Sequence, residues 1–341
     1  MKKWLALFLV LVLVLVVAGC APNTEPGTEP DEDKLVYMVT DMGGVDDASF
    51  NESAWKGLER FKDEIEGWTA DYIESKSDED YNPNLRTAVE SGAELIWAIG
   101  YMMADHLDAV AADNPEKNFA IIDWGQENLR DNVAYVLFKE NEGSFLVGMI
   151  AGLTTESNVI GFIGGMEGDL IRRFEVGFRA GVHYVNPDAE VLVQYAQSWV
   201  DTEKGAQIAN TMIGQKADVI YHAAGGVGMG VAQACKEKDI WFIGVDQDQS
   251  NLAPEHTLTS MLKRVDNATY SISKALAEGN FPGGTLAHLG LAEDGVGYVQ
   301  SEFIDEETIA KVEEAKQKII NGEIVVPDNL EGFEEFINAG Q

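Results

Sequence analysis

Short apolar runs alternate with longer helical patterns along most of this chain. The first half predicts helices that begin near residues 49, 82 and 103, between strands at 35–40, 69–74, 94–100 and 118–123. The second half repeats that order, with strands at 158–164, 190–195, 218–222 and 240–246 and helices over 174–181, 202–214 and up to 235. Strands that alternate with helices are typical of parallel sheets covered on both faces. We therefore expect an α/β fold with two doubly wound parallel-sheet lobes.

The first 34 residues carry a different pattern. Lys2 and Lys3 precede an apolar run over 4–18, and Cys20 follows small residues. This order predicts a lipoprotein signal peptide over 1–19, with Cys20 acylated after cleavage. The alternative is a single membrane-spanning anchor, but the run is shorter than the ~20 apolar residues that a spanning helix needs. Residues 20–34 have no large apolar side chain before Lys34, which indicates a flexible tether.

Charge excludes one class of partner. The chain has 24 Lys and Arg against 58 Asp and Glu, a net charge of −34. A phosphate backbone would be repelled by such a surface, so we expect no nucleic acid partner. The acidic surface is explained by solvation or by adaptation to a salty habitat, and one sequence does not separate these.

Metal and cofactor chemistry is not indicated either. Cys235 lies in an apolar helical pattern, with no second cysteine left once Cys20 is acylated. We expect it to be a buried small hydrophobic residue. The histidines are never at ligand spacing from one another or from cysteine, so we expect no metal site and no cofactor. They are His106, His183, His222, His256 and His288.

Candidate ligand residues follow the predicted strands, because open α/β sheets bind ligands outside the carboxyl ends of their strands. The segments at these positions are 41–51, 99–102, 123–124, 165–173, 197–200, 224–228 and 246–248. They are rich in Asp, Gly and aromatic residues. That composition suits a neutral polar molecule with a flat ring.

Enzyme motifs are missing from these segments. The glycine-rich turn at 226–231 lacks the third glycine of a dinucleotide fingerprint, and no Walker motif or Gly-x-Ser-x-Gly elbow occurs. The acidic residues at the strand ends have no visible nucleophile or histidine partner. We expect a protein that is not an enzyme.

Seven pieces, in order from about residue 35 to 265, carry a resemblance. They are Asp47-Ala-Ser-Phe50-Asn51 with Gly57, Ile121-Ile-Asp123, Gly161-Phe-Ile-Gly-Gly165 running to Phe178-Arg-Ala-Gly181, Ser198-Trp199 with 201–205, Ala223-Ala-Gly-Gly-Val-Gly228, Gly244-Val-Asp246-Gln-Asp248-Gln249 and Thr259-Ser-Met-Leu-Lys263. In these the chain resembles the basic membrane protein family, nucleoside-binding lipoproteins of ABC importers with the type I periplasmic binding protein fold. Such ordered coverage is more specific than any single piece.

The resemblance implies a site for a nucleobase. Phe50 and Trp199 would stack on either side of a purine, with Asp123 and Asn51 near the base edge and Asp47 in the same matching segment. Position 199 is more often Phe in the family, and stacking would survive the change to Trp. A base held between two rings excludes water, and each stack contributes about 1–3 kcal/mol. The alternative for both rings is ordinary core packing.

The resemblance also implies a ribose site. Asp246 and Lys263 would hold the sugar, and the turn at Gly225 and Gly226 would allow close backbone approach. A carboxylate suits a cis-diol because it accepts two charge-assisted hydrogen bonds. The alternatives are a helix N-cap for Asp246 and a surface lysine for Lys263. Trp124 and Tyr101 are further candidates for the pocket wall.

These expectations describe an extracytoplasmic substrate-binding lipoprotein, held at the cell membrane by its lipid, that captures a nucleoside and delivers it to an ABC permease. We expect a monomer whose first lobe comprises 35–138 and 262–288 and whose second comprises 139–261 and 289–341. Crossing segments near 134–142, 244–261 and 286–295 would form a hinge that closes over the ligand. The alternatives are a binding protein of the same fold for a sugar or sugar-derived signal, and a sensor for a membrane kinase.

Overall fold

The structure, a computed structural model, describes residues 33–339 and contains two sheets, the first of which takes five of its six strands from residues 34–138. Its strands are β1 (Lys34–Val39), β2 (Trp68–Ile73), β3 (Leu95–Ile99), β4 (Asn118–Ile122), β5 (Val133–Phe138) and β11 (Leu286–Leu289). The sheet is six-stranded, in the order β11-β5-β4-β3-β1-β2. All its neighbouring strands are parallel.

The second sheet repeats this order five strands later. Its strands are β6 (Val159–Gly164), β7 (Glu190–Tyr195), β8 (Val219–Ala223), β9 (Trp241–Asp246), β10 (Thr257–Lys263) and β12 (Val296–Tyr298). The order is β12-β10-β9-β8-β6-β7, and only the edge pair of β10 and β12 is antiparallel. The matching orders confirm the expected α/β fold of two parallel-sheet lobes.

Helices cover both sheets. They are α1 (Phe50–Glu64), α2 (Asp78–Glu90), a short 3₁₀ turn (Tyr101–Met103), α3 (Ala104–Asp113), α4 (Glu140–Thr154), α5 (Asp169–Val185), α6 (Thr202–Gly214), α7 (Val227–Lys238), α8 (Val265–Ala277), α9 (Glu306–Ile320) and α10 (Leu330–Ala339). In the first lobe α1 packs against α8 and α2 against α3. In the second, α4 packs against α5 and α6 against α7, while α9 and α10 cover α4 and α5.

The chain passes between the sheets at three places: after β5, after β10 and after β11. The middle crossing, expected near 244–261, comes just after that segment, because β9 and β10 pair with each other inside the second sheet. The chain leaves that sheet only after Lys263. This places Lys263 at the hinge, beside the carboxyl ends of the strands.

The signal peptide and the acylated Cys20 expected from the sequence lie outside the described residues. Within 33–339, no helix combines the length and the apolar character needed to cross a membrane. Cys235 is buried in α7 and forms no disulfide within that range.

Candidate functional site

A cavity lies where the carboxyl ends of the two sheets meet, with about 570 Å³ of space including its open mouth. All nine residues singled out as ligand-binding line it: Asp47, Phe50, Asn51, Asp123, Trp199, Gly225, Gly226, Asp246 and Lys263. Residues as far apart in sequence as Asp47 and Lys263, 216 positions, line the same cavity. This is expected of residues that follow parallel strands. Their contacts differ from one residue to the next.

Two of the lining rings come from opposite lobes. Phe50 is the first residue of α1, which follows β1, and Trp199 lies in the loop after β7. Both side chains are partly buried: they pack against the hydrophobic core and also line the cavity. Phe174 of α5, which the sequence did not single out, also lines the cavity. The indole Nε1 of Trp199 is buried with no hydrogen-bond partner among the described residues.

The start of α1 is held by Asp47. Its carboxylate accepts hydrogen bonds from the backbone N–H groups of Ser49 and Asn51, each at 2.9 Å, and of Glu52 at 3.1 Å. The amide Nδ2 of Asn51 donates to Asp47 at 3.0 Å and to Asp41 at 2.7 Å. Both amide hydrogens of Asn51 are thus used within the protein. Asp47 and Asn51 fix the helix that carries Phe50.

Asp41 is a lining residue that was not singled out, although it opens the strand-end segment 41–51. Its Oδ1 accepts from the backbone N–H of Gly43 at 2.9 Å and from Asn51. Its Oδ2 has no hydrogen bond among the described residues. Burial raises the pKa of Asp41 to about 6, against the effect of its hydrogen bonds. Asp41 therefore offers the cavity an acceptor oxygen.

Lys263 is buried, at 2% exposure, which excludes the surface lysine considered above. Its Nζ donates to both carboxylate oxygens of Asp123 at 2.7 Å and lies 3.1 Å from Oε1 of Glu140, although that contact lacks hydrogen-bond geometry. Glu140 is in turn bonded by Nε of Arg173 at 2.8 Å. Burial alone would lower the pKa of Lys263, but these carboxylates raise it above its ordinary value. The lysine stays charged.

This pairing differs from the grouping suggested by the resemblance. Asp123 is bonded to Lys263 at the hinge, whereas Asp246 accepts a hydrogen bond from the hydroxyl of Ser49. The Lys263 ammonium also lies 5.1 Å from the ring centre of Phe50 and 5.6 Å from that of Phe174. Lys263 thus makes cation–π contacts with two aromatic rings of the cavity and also joins the two lobes.

Asp246 is a buried carboxylate with only one hydrogen-bond donor among the described residues. Burial raises its pKa to about 7, although Lys263 and the Ser49 hydroxyl favour the charged form. One of its oxygens faces Ser49, and the other has no hydrogen bond among the described residues. Asp246 ends β9, so the helix N-cap considered above does not describe it.

The glycine turn and the two alternative aromatic residues are also resolved by the structure. Gly225 has a φ of +56°, in the left-handed region, and a side chain there would be 3.3 Å from the carbonyl of Trp199. Tyr101 lines the cavity, whereas Trp124 does not and packs against the core. No cluster of three or more His, Cys, Asp or Glu suited to a metal ion occurs within 33–339.

Two parallel-sheet lobes around an interlobe cavity are the architecture of the type I periplasmic solute-binding proteins. A structure from Aeropyrum pernix, described as an ABC transporter system solute-binding protein, superimposes with a TM-score of 0.82 and 30% identity over 90% of this chain and 98% of that one. A sequence profile described as "ABC transporter substrate-binding protein PnrA-like" matches residues 34–330. The chain belongs to this family, the Bmp family of ABC transporter substrate-binding proteins.

Two relatives match most of the chain in sequence. The CD4+ T-cell-stimulating antigen of Listeria monocytogenes is 46% identical over 318 residues, 87% of this chain and 89% of the relative. The ABC transporter nucleoside-binding protein BmpA of Lactococcus lactis is 39% identical over 312 residues, 85% and 88% of the two chains. These matches confirm the family resemblance.

Proposed function

We propose that this chain captures a nucleoside, preferably a purine nucleoside, in the interlobe cavity and delivers it to an ABC permease. The observation that carries the proposal is that rings from both lobes, Phe50 and Trp199, line the same cavity as the buried Asp246. A base between these rings would be desolvated on both faces, and Asp246 would accept hydrogen bonds from the ribose hydroxyls. The name of the Lactococcus lactis relative supports this ligand class.

The charges of the wall support an uncharged nucleoside over a nucleotide. Four buried aspartates line the cavity, and Lys263 is the one lining cation among the described residues. That ammonium is already bound to Asp123 and close to Glu140. A phosphate group would meet an excess of negative charge with no free cation, whereas ribose hydroxyls are donors that carboxylates bind well.

Binding without catalysis is part of the proposal. The lining residues of the described chain include no serine, cysteine or histidine that could act as a nucleophile or proton carrier beside the aspartates. We further propose that acylated Cys20 and the tether over 20–34 hold a monomeric body on the outer face of the cell membrane. Hinge closure about the three crossings would enclose the ligand.

Calorimetric titration tests the ligand class. Purified protein is titrated with inosine, guanosine, adenosine, cytidine, ribose and glucose, with tryptophan fluorescence as a second signal. We expect saturable binding of purine nucleosides, weaker binding of cytidine and none of the free sugars. Saturable binding of ribose or glucose with none of any nucleoside would overturn the proposal in favour of a sugar-binding protein.

A further inference from the structure

A set of side-chain hydrogen bonds joins the two lobes beside the cavity, away from the covalent crossings. On the first lobe they involve residues 48–56, at the start of α1, and on the second the loop after β9. Gln249 Nε2 donates to the carbonyl of Ala48 at 2.8 Å, and the Ser49 hydroxyl donates to Asp246. Nearer the surface, Gln247 bonds Glu52 at 3.0 Å and Lys56 at 2.7 Å. We call these contacts the α1 junction.

Gln249 is the buried member of the α1 junction, at 1% exposure. Its Oε1 accepts from the backbone N–H of Val245 at 2.9 Å, and its own backbone N–H donates to the hydroxyl of Ser260 at 3.1 Å. Because a backbone N–H needs an acceptor, the amide oxygen must face Val245. The amide NH₂ is therefore turned toward Ala48 on the other lobe.

His222 fixes the same amide from behind. Its Nε2 lies 2.9 Å from Oε1 of Gln249, and since that oxygen only accepts, Nε2 carries the proton. Nδ1 is buried with no partner among the described residues, so a second proton there would have no acceptor. Burial accordingly lowers the pKa of His222 to about 4. The ring, stacked on Phe242 at 5.3 Å, is a neutral and fixed donor at ordinary pH.

The bond to Ala48 acts at a sensitive point of the backbone. Ala48 has a φ of +54°, an uncommon conformation for a residue with a side chain. It lies between Asp47, which fixes the start of α1, and Phe50, which lines the cavity. Neither Gln249 nor His222 lines the cavity. Their effect on a ligand would pass through the position of α1.

We propose that Gln249, oriented by His222, is a positioning residue that holds the start of α1 against the second lobe and so keeps the cleft closed over its ligand. Opening at the hinge would separate Ala48 from Gln249 and break the hydrogen bond from the Gln249 amide to the Ala48 carbonyl. The α1 junction thus slows ligand release without contacting the ligand. The part that concerns ligand release rests on the proposed function, whereas the holding of α1 does not.

The substitution Gln249→Glu tests this proposal in the full chain. A carboxylate keeps the size of the side chain and still accepts from Val245 and His222, but it places an oxygen against the carbonyl of Ala48. We expect the nucleoside to dissociate about tenfold faster in stopped-flow fluorescence, with little change in association rate. We also expect about tenfold faster hydrogen exchange in a peptide covering 44–54, measured without ligand.

Gln249→Met, which removes all polar contacts of the side chain, serves as the second variant and should act in the same direction. The matched control is Asn132→Leu, because Asn132 Nδ2 donates only to carbonyls of the first lobe, those of Ala111, Asn114 and Lys117. It should lower the unfolding midpoint but leave dissociation and exchange at 44–54 unchanged.

Two results would overturn the proposal. Variants at Gln249 that lower the unfolding midpoint as Asn132→Leu does, with unchanged dissociation and exchange, would make Gln249 a structural residue of the second lobe. If the wild-type protein bound no nucleoside, the proposed function would fail, yet hydrogen exchange at 44–54 would still decide whether Gln249 holds α1. Unchanged exchange there in both variants would contradict the α1 junction on its own.

Discussion

Two aspartates have matching places in the two lobes but different partners. Asp123 follows β4 and Asp246 ends β9, each at the carboxyl end of the third strand of its sheet, with φ values of +66° and +68°. Such conformations are uncommon for residues with side chains and concentrate at functional sites. Asp123 is neutralised by Lys263, whereas Asp246 is bonded only by a hydroxyl. This difference supports the proposed role of Asp246 as the acceptor for the ligand's hydroxyls.

The two rings are tested by substitution. Phe50→Ala or Trp199→Ala should weaken purine nucleoside binding about tenfold or more, because each stack is worth about 1–3 kcal/mol. Trp199→Phe keeps a ring and removes the unpartnered indole N–H, so it should retain most of the affinity. The control is Phe303→Ala, an exposed ring outside the cavity. Calorimetric affinities equal to wild type in both alanine variants would contradict the stacking of the base between the two rings.

Replacing Asp246 by Asn is expected to stabilise the folded protein and to weaken ligand binding. Its pKa of about 7 in the folded protein exceeds the value of about 3.9 in an unfolded chain. Between these values the folded state binds the extra proton, so this residue lowers the free energy of unfolding as pH rises from about 4 to 7. Asp246→Asn should thus raise the melting temperature by about 2 °C or more at pH 8, and by less at pH 5.

The same variant should weaken nucleoside binding about tenfold, since an amide replaces an acceptor of two charge-assisted bonds. Asp248→Asn, at an exposed neighbouring position, is the control and should change neither quantity. Melting curves and calorimetry at the two pH values provide the measurements. A lower melting temperature for Asp246→Asn at pH 8 would show that the ionised carboxylate does not destabilise the folded protein.

At the residue scale, the sequence predicted where the site lies better than which residues pair. Strand ends of parallel sheets meet at one edge, so their positions follow from the strands alone. The bond between Lys263 and Asp123 depends on where the chain crosses from β10 into the first lobe, 140 residues after Asp123. No local pattern encodes that crossing. Asp41 could have been predicted as a lining residue, because it is the second residue after β1.

At the scale of elements, the amphipathic helices and the central strands were predictable and α4 was not. The pattern placed α6 at 202–214, the residues it occupies. By contrast, α4 is buried on nearly all sides between α5, α9 and the second sheet. A helix that is apolar all round shows no 3.6-residue period, so its sequence resembles a buried strand or a linker.

The packing of α4 on α5 gives a prediction about stability. A methyl group on Gly181 would lie 2.0 Å from the carbonyl oxygen of Phe145, because the two helices approach with their backbones in contact. Gly181→Ala should therefore reduce the free energy of unfolding by about 1–3 kcal/mol or more. Gly214→Ala, where a methyl group meets nothing within 4 Å, is the matched control. Equal urea midpoints for the two variants would contradict this close packing.

At the scale of the whole molecule, charge sets what the cleft admits. The chain has a net charge of −34, and its cavity wall repeats that sign at Asp41, Asp47 and Asp246. We expect inosine monophosphate to bind about a hundredfold more weakly than inosine, because like charges brought together without water cost several kcal/mol. Competition calorimetry at low and high salt measures the ratio. Equal affinities would show that a cation, such as Lys263, is free to meet the phosphate.

The most direct measurement is a crystal structure of the protein with inosine. We expect the purine to lie between Phe50 and Trp199, its ribose hydroxyls within hydrogen-bond distance of Asp246, and Lys263 still bound to Asp123. A ligand seated in another cavity, or a base in this one that touches neither ring, would contradict the clamp between the two lobes.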